Sequence, residues 1–462
     1  MDKKRVIIVG GGIAGLSAAY YLQKEGLPIE VKLIEASDRL GGVIQTVKKD
    51  GFVIEKGPDS IVATKKSGLE LIEDVGLKDQ VVYNSIGKSY ILANGKLHSM
   101  PEGAYMGIPS RITPFAVSGL FSWKGKIRAA ADFILPKGKK QTDQSLGGFF
   151  RRRLGDEIVE NLIEPLLSGI YSGDIDELSL MALFPNFYQM EQTHRSLVLG
   201  LKRTIPKRPK KQPAKKGMFL SLKGGLESMV VALEQQLSEE TVCKNIAVEK
   251  IIVQKSGYLL QLSNGKMEMA DSVVIATDHF HAQQILRDYS FMDGYKEMTA
   301  NSVANVAMAF PKSVVKQDID GSGFIVSRNS DYRITACTWT HKKWPGSTPE
   351  GKVLFRCFLG KPNDQGIVDL TDEEIVKLAL RDLNKTMNIT AKPEFYVISR
   401  WKKAMPQYSI GHLERIARVK QALASELPGI FLAGGSFEGV GIPDCINQGR
   451  NAVSSVKQFL KF

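Results

Sequence analysis

Arg5-Val-Ile-Ile-Val-Gly10-Gly-Gly12-Ile-Ala-Gly15 decides the fold, together with the residues that follow it as far as Glu35-Ala-Ser-Asp-Arg39-Leu-Gly41-Gly42. The apolar run from Arg5 to Val9 predicts a buried strand. Ala18, Ala19 and Leu22 continue past the glycines with helical spacing. A second apolar run, Ile29 to Ile34, ends on Glu35, about twenty residues beyond Gly15, which is the spacing of a strand–helix–strand unit that holds a dinucleotide. Gly10 permits the tight turn, Gly12 lets the backbone approach a pyrophosphate, and Gly15 lets helix and strand pack closely. The helix N-terminus offers unpaired N–H groups and the positive end of its dipole to phosphate. Gly10, Gly11, Gly12, Ile13, Ala14 and Gly15 are therefore candidate phosphate-loop residues. Glu35 is placed to accept hydrogen bonds from ribose hydroxyls.

The residues after Glu35 narrow the dinucleotide. Glu35-x-x-x-Arg39-x-Gly41-Gly42 resembles the extension found in FAD-dependent oxidases of the amine oxidase and protoporphyrinogen oxidase superfamily. The resemblance implies that FAD is the cofactor and adds Ala36, Arg39, Gly42 and Val43 to its site. Gly57, Pro58, Asp59 and Ser60 follow at the distance where that superfamily sets a glycine-containing stretch against the flavin.

Composition sets the outer bounds. A chain of 462 residues with 43% hydrophobic and 24% charged residues has ordinary globular composition and length for more than one domain. No cleavable signal is expected, because the first strand begins at Arg5. Cys243, Cys337, Cys357 and Cys445 are scattered without a Cys-x-x-Cys, which reads as free thiols in a reducing cytosol. His279 and His281 are the one close histidine pair, and no metal site is expected. The net charge of +13 is concentrated in residues 202–216, which carry eight lysines and arginines, three prolines and no acid. No aromatic residue interleaves there for base stacking, so the stretch reads as a solvated surface loop and nucleic acid is not an expected partner.

The chain shows no internal repeat. Thr241 to Val253 alternates as a strand; Tyr258 to Leu262, the Asn264-Gly265 turn and Met267 to Met269 read as a hairpin, and Asp271 to Thr277 as a buried strand. Leu146, Phe149, Phe150, Leu154, Ile158, Leu162 and Leu166 predict one amphipathic helix. Gly103 to Trp123 is apolar apart from Arg111 but interrupted by Pro109 and Pro114, so it reads as a helical lid or an interfacial surface rather than a membrane span. Ser302 to Phe310, Gly323 to Ser327, Ile334 to Thr340 and Val353 to Gly360 read as strands, and Asp372 to Met387 as a helix.

The expected fold class is α/β (α+β overall), with a Rossmann-like FAD-binding domain built from discontinuous segments at residues 1–68, 217–285 and 405–462. A mixed-sheet substrate domain takes residues 69–90, 185–216 and 286–404, and a helical subdomain takes residues 91–184.

The C-terminal part narrows the family. Phe437-Glu-Gly439-Val440-Gly441-Ile442-Pro443-Asp444-Cys445-Ile446 is a second strand–glycine–helix junction, able to aim N–H groups at a flavin. By resemblance it is similar to the closing motif of the protoporphyrinogen/coproporphyrinogen oxidases, as are Tyr171-Ser-Gly173-Asp174 and Met405-Pro406-Gln407-Tyr408. The similarity runs from Arg5 to the last helix. It implies cofactor contacts from Val440, Gly441, Ile442, Trp401 and the backbone near Val248, and a substrate contact from Lys65 to a propionate. Each two-electron step would pass a hydride to flavin N5, so no catalytic side chain is assigned. Oxygen would be the acceptor and hydrogen peroxide the by-product.

The resemblance is greatest to the soluble Gram-positive type, implying oxidation of coproporphyrinogen III to coproporphyrin III in haem biosynthesis. Protoporphyrinogen IX is the alternative substrate. An amine-oxidase or desaturase-like flavoenzyme and a non-catalytic binder on the same scaffold are the alternative classes. A cytoplasmic location is expected, with room for weak peripheral membrane contact and a transient contact with the next haem-pathway enzyme.

Overall fold

The computed structural model describes residues 3–109, 112–204 and 217–462. Most of the basic stretch, residues 205–216, lies outside the described residues, as does Arg111. The chain divides into two compact units, one of Met1–Tyr83, Met218–Thr299 and Leu413–Phe462, the other of Asn84–Gly217 and Ala300–His412.

In the first unit, the apolar runs of the opening stretch form strands Lys4–Val9 and Ile29–Ile34, joined by helix Ile13–Lys24. They lie in a five-stranded parallel sheet whose order is Val242–Cys243, Ile29–Ile34, Lys4–Val9, Ser272–Ile275, Ile430–Leu432. Strands from three distant parts of the chain thus share one sheet, as expected for a doubly wound fold assembled from segments. Its central residues Ile7, Ile8, Val273 and Val274 are fully buried, which explains runs of aliphatic residues without alternation. The order reverses between Lys4–Val9 and Ser272–Ile275, and ligands of such sheets bind at the carboxyl ends flanking that reversal. The C-terminal helix Ile442–Leu460 packs on helix Ile13–Lys24. Gly449 permits it, because a Cβ there would stand 2.5 Å from the Ala14 carbonyl oxygen.

One strand expected over Thr241 to Val253 is two strands in different sheets. Val242–Cys243 closes the parallel sheet, and Val248–Val253 pairs antiparallel with Tyr258–Leu262. Asn245, at φ +59, turns the chain between them.

The second unit is built on a mixed seven-stranded sheet, in which Tyr90–Ala93 pairs parallel with Gly323–Val326 and antiparallel with Lys96–Ser99. Alternation along one strand divides two cores. Tyr90 and Leu92 join the core under helix Asp372–Met387, while Ile91 and Ala93 join the core of the helical region. The predicted helix from Leu146 onward is broken. Leu146–Leu154 ends at Gly155 (φ +89), and Asp156–Ile158, a π-turn at Val159–Ile163 and Glu164–Tyr171 follow. Pro165 has no N–H to continue the α register, which accounts for the wider turn before it. Leu146, Phe149, Phe150, Leu154, Ile158 and Leu162 still reach one core. Among the described residues, no helix is long and apolar enough to cross a membrane.

Candidate flavin site

The glycine loop leaves strand Lys4–Val9 at its carboxyl end. Gly10 has φ +105, and a Cβ there would lie 2.9 Å from the Ala276 carbonyl oxygen, at the end of the neighbouring strand. At Gly15 a Cβ would lie 2.0 Å from the Gly10 carbonyl oxygen, so this glycine seats the helix on the strand. Gly12 differs from both. It is the N-cap of helix Ile13–Lys24, with ordinary φ −67, and a Cβ there meets nothing within 4 Å. Its need for glycine is not set by the fold, and the open space in front of it suits close approach of a ligand's phosphates. Ile13 and Ala14 are buried, and what they present there is backbone at the helix start.

Glu35 lies beside this loop. Its Oε2 accepts from the Gly11 N–H at 2.6 Å, and Oε1 accepts from the Ser37 N–H and hydroxyl at 2.8 and 2.7 Å. A carboxylate has about four acceptor positions, so with these three filled one remains on Oε2 for a ribose hydroxyl. The backbone from Cys243 to Ile246 runs alongside, through Glu35 N–H to Cys243 O, Asn245 N–H to Ser37 O and Ile246 N–H to Glu35 O. Val248 follows as a buried strand residue opposite Leu262. Val248, where the resemblance implies the adenine, thus lies in the same unit as Glu35 and Ala36.

Gly41 and Gly42 return the chain to the glycine loop. Gly41 N–H donates to Gly11 O at 2.8 Å, and a Cβ on Gly42 would stand 3.4 Å from the Gly12 Cα. Arg39 clamps this turn by donating to the carbonyls of Gly42 and Ile44 and to the Glu227 carboxylate at 2.7–2.8 Å. Its guanidinium organises the turn as well as carrying charge. Val43 beside it is an exposed apolar residue.

The third wall comes from the C-terminus. Gly434, at φ +130, follows strand Ile430–Leu432. Gln448 holds the loop after it, its Oε1 accepting from Gly434 N–H and its Nε2 donating to Gly439 O. Ser436 Oγ and His279 Nδ1 lie 3.2 Å apart, and His279 Nε2 lies 2.8 Å from Met298 O. Burial lowers the pKa of His279, so the neutral ring donates to Met298 and accepts from Ser436. Sequence reasoning did not single out Gln448 or Ser436. The one signal for Gln448 is its position one turn beyond Asp444, on the helix face that meets the glycine loop. Val440 and Gly441 lead into helix Ile442–Leu460, with Gly441 as N-cap. Cys445, inside that first turn, is buried, which pushes its thiol up to about 12.

Gly57, Pro58, Asp59 and Ser60 form a partly buried loop in the same unit, with the Ser60 hydroxyl donating to Asp59. Just beyond it, Ser67 Oγ donates to Pro443 O, tying this region to the start of the C-terminal helix. Lys65 Nζ lies 2.6 Å from both carboxylate oxygens of Asp444, a partner the sequence reading did not supply. Trp401 lies in the second unit, on strand Phe395–Pro406 opposite Val303. The expected cofactor and substrate positions other than Trp401 are therefore gathered in the first unit.

The donor set fits FAD. It combines a helix N-terminus behind a glycine with free space before it, an acceptor for ribose, and a second glycine-capped helix start. The flavin-containing amine oxidoreductase family profile matches residues 13–457. The chain is 53% identical to a coproporphyrinogen III oxidase of Bacillus subtilis over 99% of both sequences. It is 43% identical to one of Staphylococcus aureus over 98% of this chain and 99% of the relative. A crystal structure from Exiguobacterium sp. 255-15 superposes with a TM-score of 0.89 at 38% identity, covering 100% of each chain. With the family profile spanning nearly its whole length, the chain belongs to the flavin-containing amine oxidoreductases and uses FAD as its cofactor.

Proposed function

We propose that this protein oxidises coproporphyrinogen III to coproporphyrin III, removing six electrons, with oxygen as acceptor and hydrogen peroxide as by-product. The observation that carries the reading is end-to-end identity of 53% with the Bacillus subtilis coproporphyrinogen III oxidase, covering 99% of both sequences. When bound, FAD supplies the acceptor for the electron pairs taken from the macrocycle. The chain's own residues bind and orient. Gly12 and the first turn of helix Ile13–Lys24 hold the pyrophosphate, Glu35 takes ribose hydroxyls, and backbone near Val248 faces the adenine. Gly57–Ser60 and Val440–Ile442 line the flavin end.

Lys65 is the proposed propionate contact. It is half-exposed, so its bond to Asp444 is weak and a substrate carboxylate can replace it. As a lysine it offers a point charge rather than a bidentate fork. The reading carries a cytoplasmic location, a weak peripheral contact with the membrane face and a transient contact with the enzyme that consumes coproporphyrin. Steady-state oxidation of both porphyrinogens tests the substrate. Coproporphyrinogen III, with four propionates against two, should show kcat/KM at least about tenfold above protoporphyrinogen IX, and Lys65→Met should raise KM by about tenfold. A higher kcat/KM on protoporphyrinogen IX would reverse the assignment.

A further inference from the structure

The five-stranded parallel sheet of the first unit ends on an open edge. Among the described residues, strand Ile430–Leu432 pairs only with Ser272–Ile275. Gly429 O accepts from Val273 N–H and Ala433 N–H donates to Ile275 O, so the alternating peptide groups of Ile430 and Leu432 turn to the other side. A cavity of about 220 Å³ lies there, lined by both residues. Its walls are two helices. Helix His412–Glu426 contributes Lys420, Leu423 and Ala424, and helix Ile442–Leu460 contributes Gln448, Asn451, Ala452 and Ser455. Each set recurs at three- and four-residue spacing, so each helix turns one stripe toward the cavity.

The polar groups of this cavity carry both signs. Lys420 Nζ stands 2.7 Å from Glu438 Oε1, and both side chains are 44% exposed, so the pair is weak and open to exchange. Ile430 N–H donates to Leu427 O, while the Ile430 carbonyl and the Leu432 N–H turn to the cavity side. An ammonium group fits Glu438 and the Ile430 carbonyl; a carboxylate fits Lys420 and the Leu432 N–H. Leu423, Ala424 and Ala452 add an apolar patch. The volume falls below the roughly 300 Å³ at which sites for drug-sized molecules begin, and suits a single amino acid.

The cavity also touches the flavin wall. Gln448 Oε1 accepts from Gly434 N–H at 3.0 Å and from Glu438 N–H at 3.4 Å, and Nε2 donates to Gly439 O at 3.2 Å. Glu438 therefore joins the cavity through its side chain and the glycine loop through its backbone. We propose that this cavity is an effector site for a free aliphatic α-amino acid, which separates Lys420 from Glu438 and so loosens the loop that holds the flavin. The site is independent of which porphyrinogen the protein oxidises.

Isothermal titration of the flavin-loaded chain with L-leucine tests it, beside isoamylamine and 4-methylpentanoate, which each keep the leucine side chain and one of its two charges. Leucine should bind with a Kd of about 1 mM or below, and each analogue about tenfold more weakly or worse. Lys420→Met, Glu438→Gln and Asn451→Leu should each weaken leucine about tenfold. Lys420 and Asn451 lie outside the flavin contacts, so Lys420→Met and Asn451→Leu should keep flavin content and melting temperature. Saturating leucine should weaken FAD binding about fivefold, read as flavin released on dilution of the loaded protein. Absence of binding at about 10 mM leucine, equal binding of either analogue, or equal binding by the variants would each overturn the site. Leucine binding with unchanged flavin release would overturn its action on the loop. Failure to oxidise coproporphyrinogen III would leave all of these results as they are, so the two readings fail separately.

Discussion

Gly12 and Gly15 belong to one motif, yet a methyl group added to each meets different surroundings. At Gly15 it would collide with the Gly10 carbonyl; at Gly12 it would enter open space on a backbone that alanine adopts freely. Gly15→Ala should therefore destabilise the protein by about 3 kcal/mol and lose FAD as a consequence. Gly12→Ala should leave the flavin-free protein's melting temperature nearly unchanged while weakening FAD binding about tenfold. Calorimetric melting of the stripped protein and a flavin titration separate the two. His279 gives a residue-scale test of pH. Its pKa in the folded protein lies below its ordinary value, about 6.5 in an unfolded chain, because burial disfavours the imidazolium. The unfolded state then takes up the proton first, so this histidine's contribution is present above about pH 6.5 and lost as pH falls. Melting temperature should drop between pH 7.5 and 5.5, and less steeply in His279→Gln. An equal slope in both would remove His279 from the explanation.

At the scale of elements, the turn Ala131–Phe133 and helix Leu146–Leu154 are joined by the fully buried Arg153–Asp132 pair. Removing one partner leaves the other charge unpaired in the core, so Arg153→Leu should cost about 3–5 kcal/mol in urea unfolding. Arg153→Leu combined with Asp132→Asn should recover part of that loss. Elements of this kind were legible where periodicity is local. Helix Asp372–Met387 begins and ends where its pattern predicts, with Thr371 and Glu374 forming a capping box. The helix from Leu146 was misread because apolar spacing survives both the Gly155 break and the π-turn. The strand from Thr241 was misread because alternation does not record a change of sheet at Asn245. Likewise the apolar stretch Gly103 to Trp123 stops short of Ile127 and Ile134, which are among the most exposed apolar side chains of the described residues. Hydropathy counts residues but does not say which of them the core covers.

For the whole molecule, the fold class followed from aliphatic runs more than two hundred residues apart, of which Lys4–Val9 and Ile430–Leu432 run into glycines. The candidate flavin positions stood out where glycines precede a helix start, as at Gly10–Gly15 and Gly439–Gly441, and all but Trp401 lie in the first unit. Their supports did not: Gln448, Ser436 and the Asp444 partner of Lys65 act through long-range hydrogen bonds with no local pattern. The proposed reaction requires the bound flavin to accept electrons from a porphyrinogen. Anaerobic mixing of the flavin-loaded protein with coproporphyrinogen III tests this most directly, following the yellow flavin band and then porphyrin fluorescence when air is admitted. Bleaching on mixing and a rise of coproporphyrin emission with oxygen are the expected result. A flavin band that persists through mixing, or one bleached by an amine while coproporphyrinogen yields no porphyrin fluorescence, would contradict it.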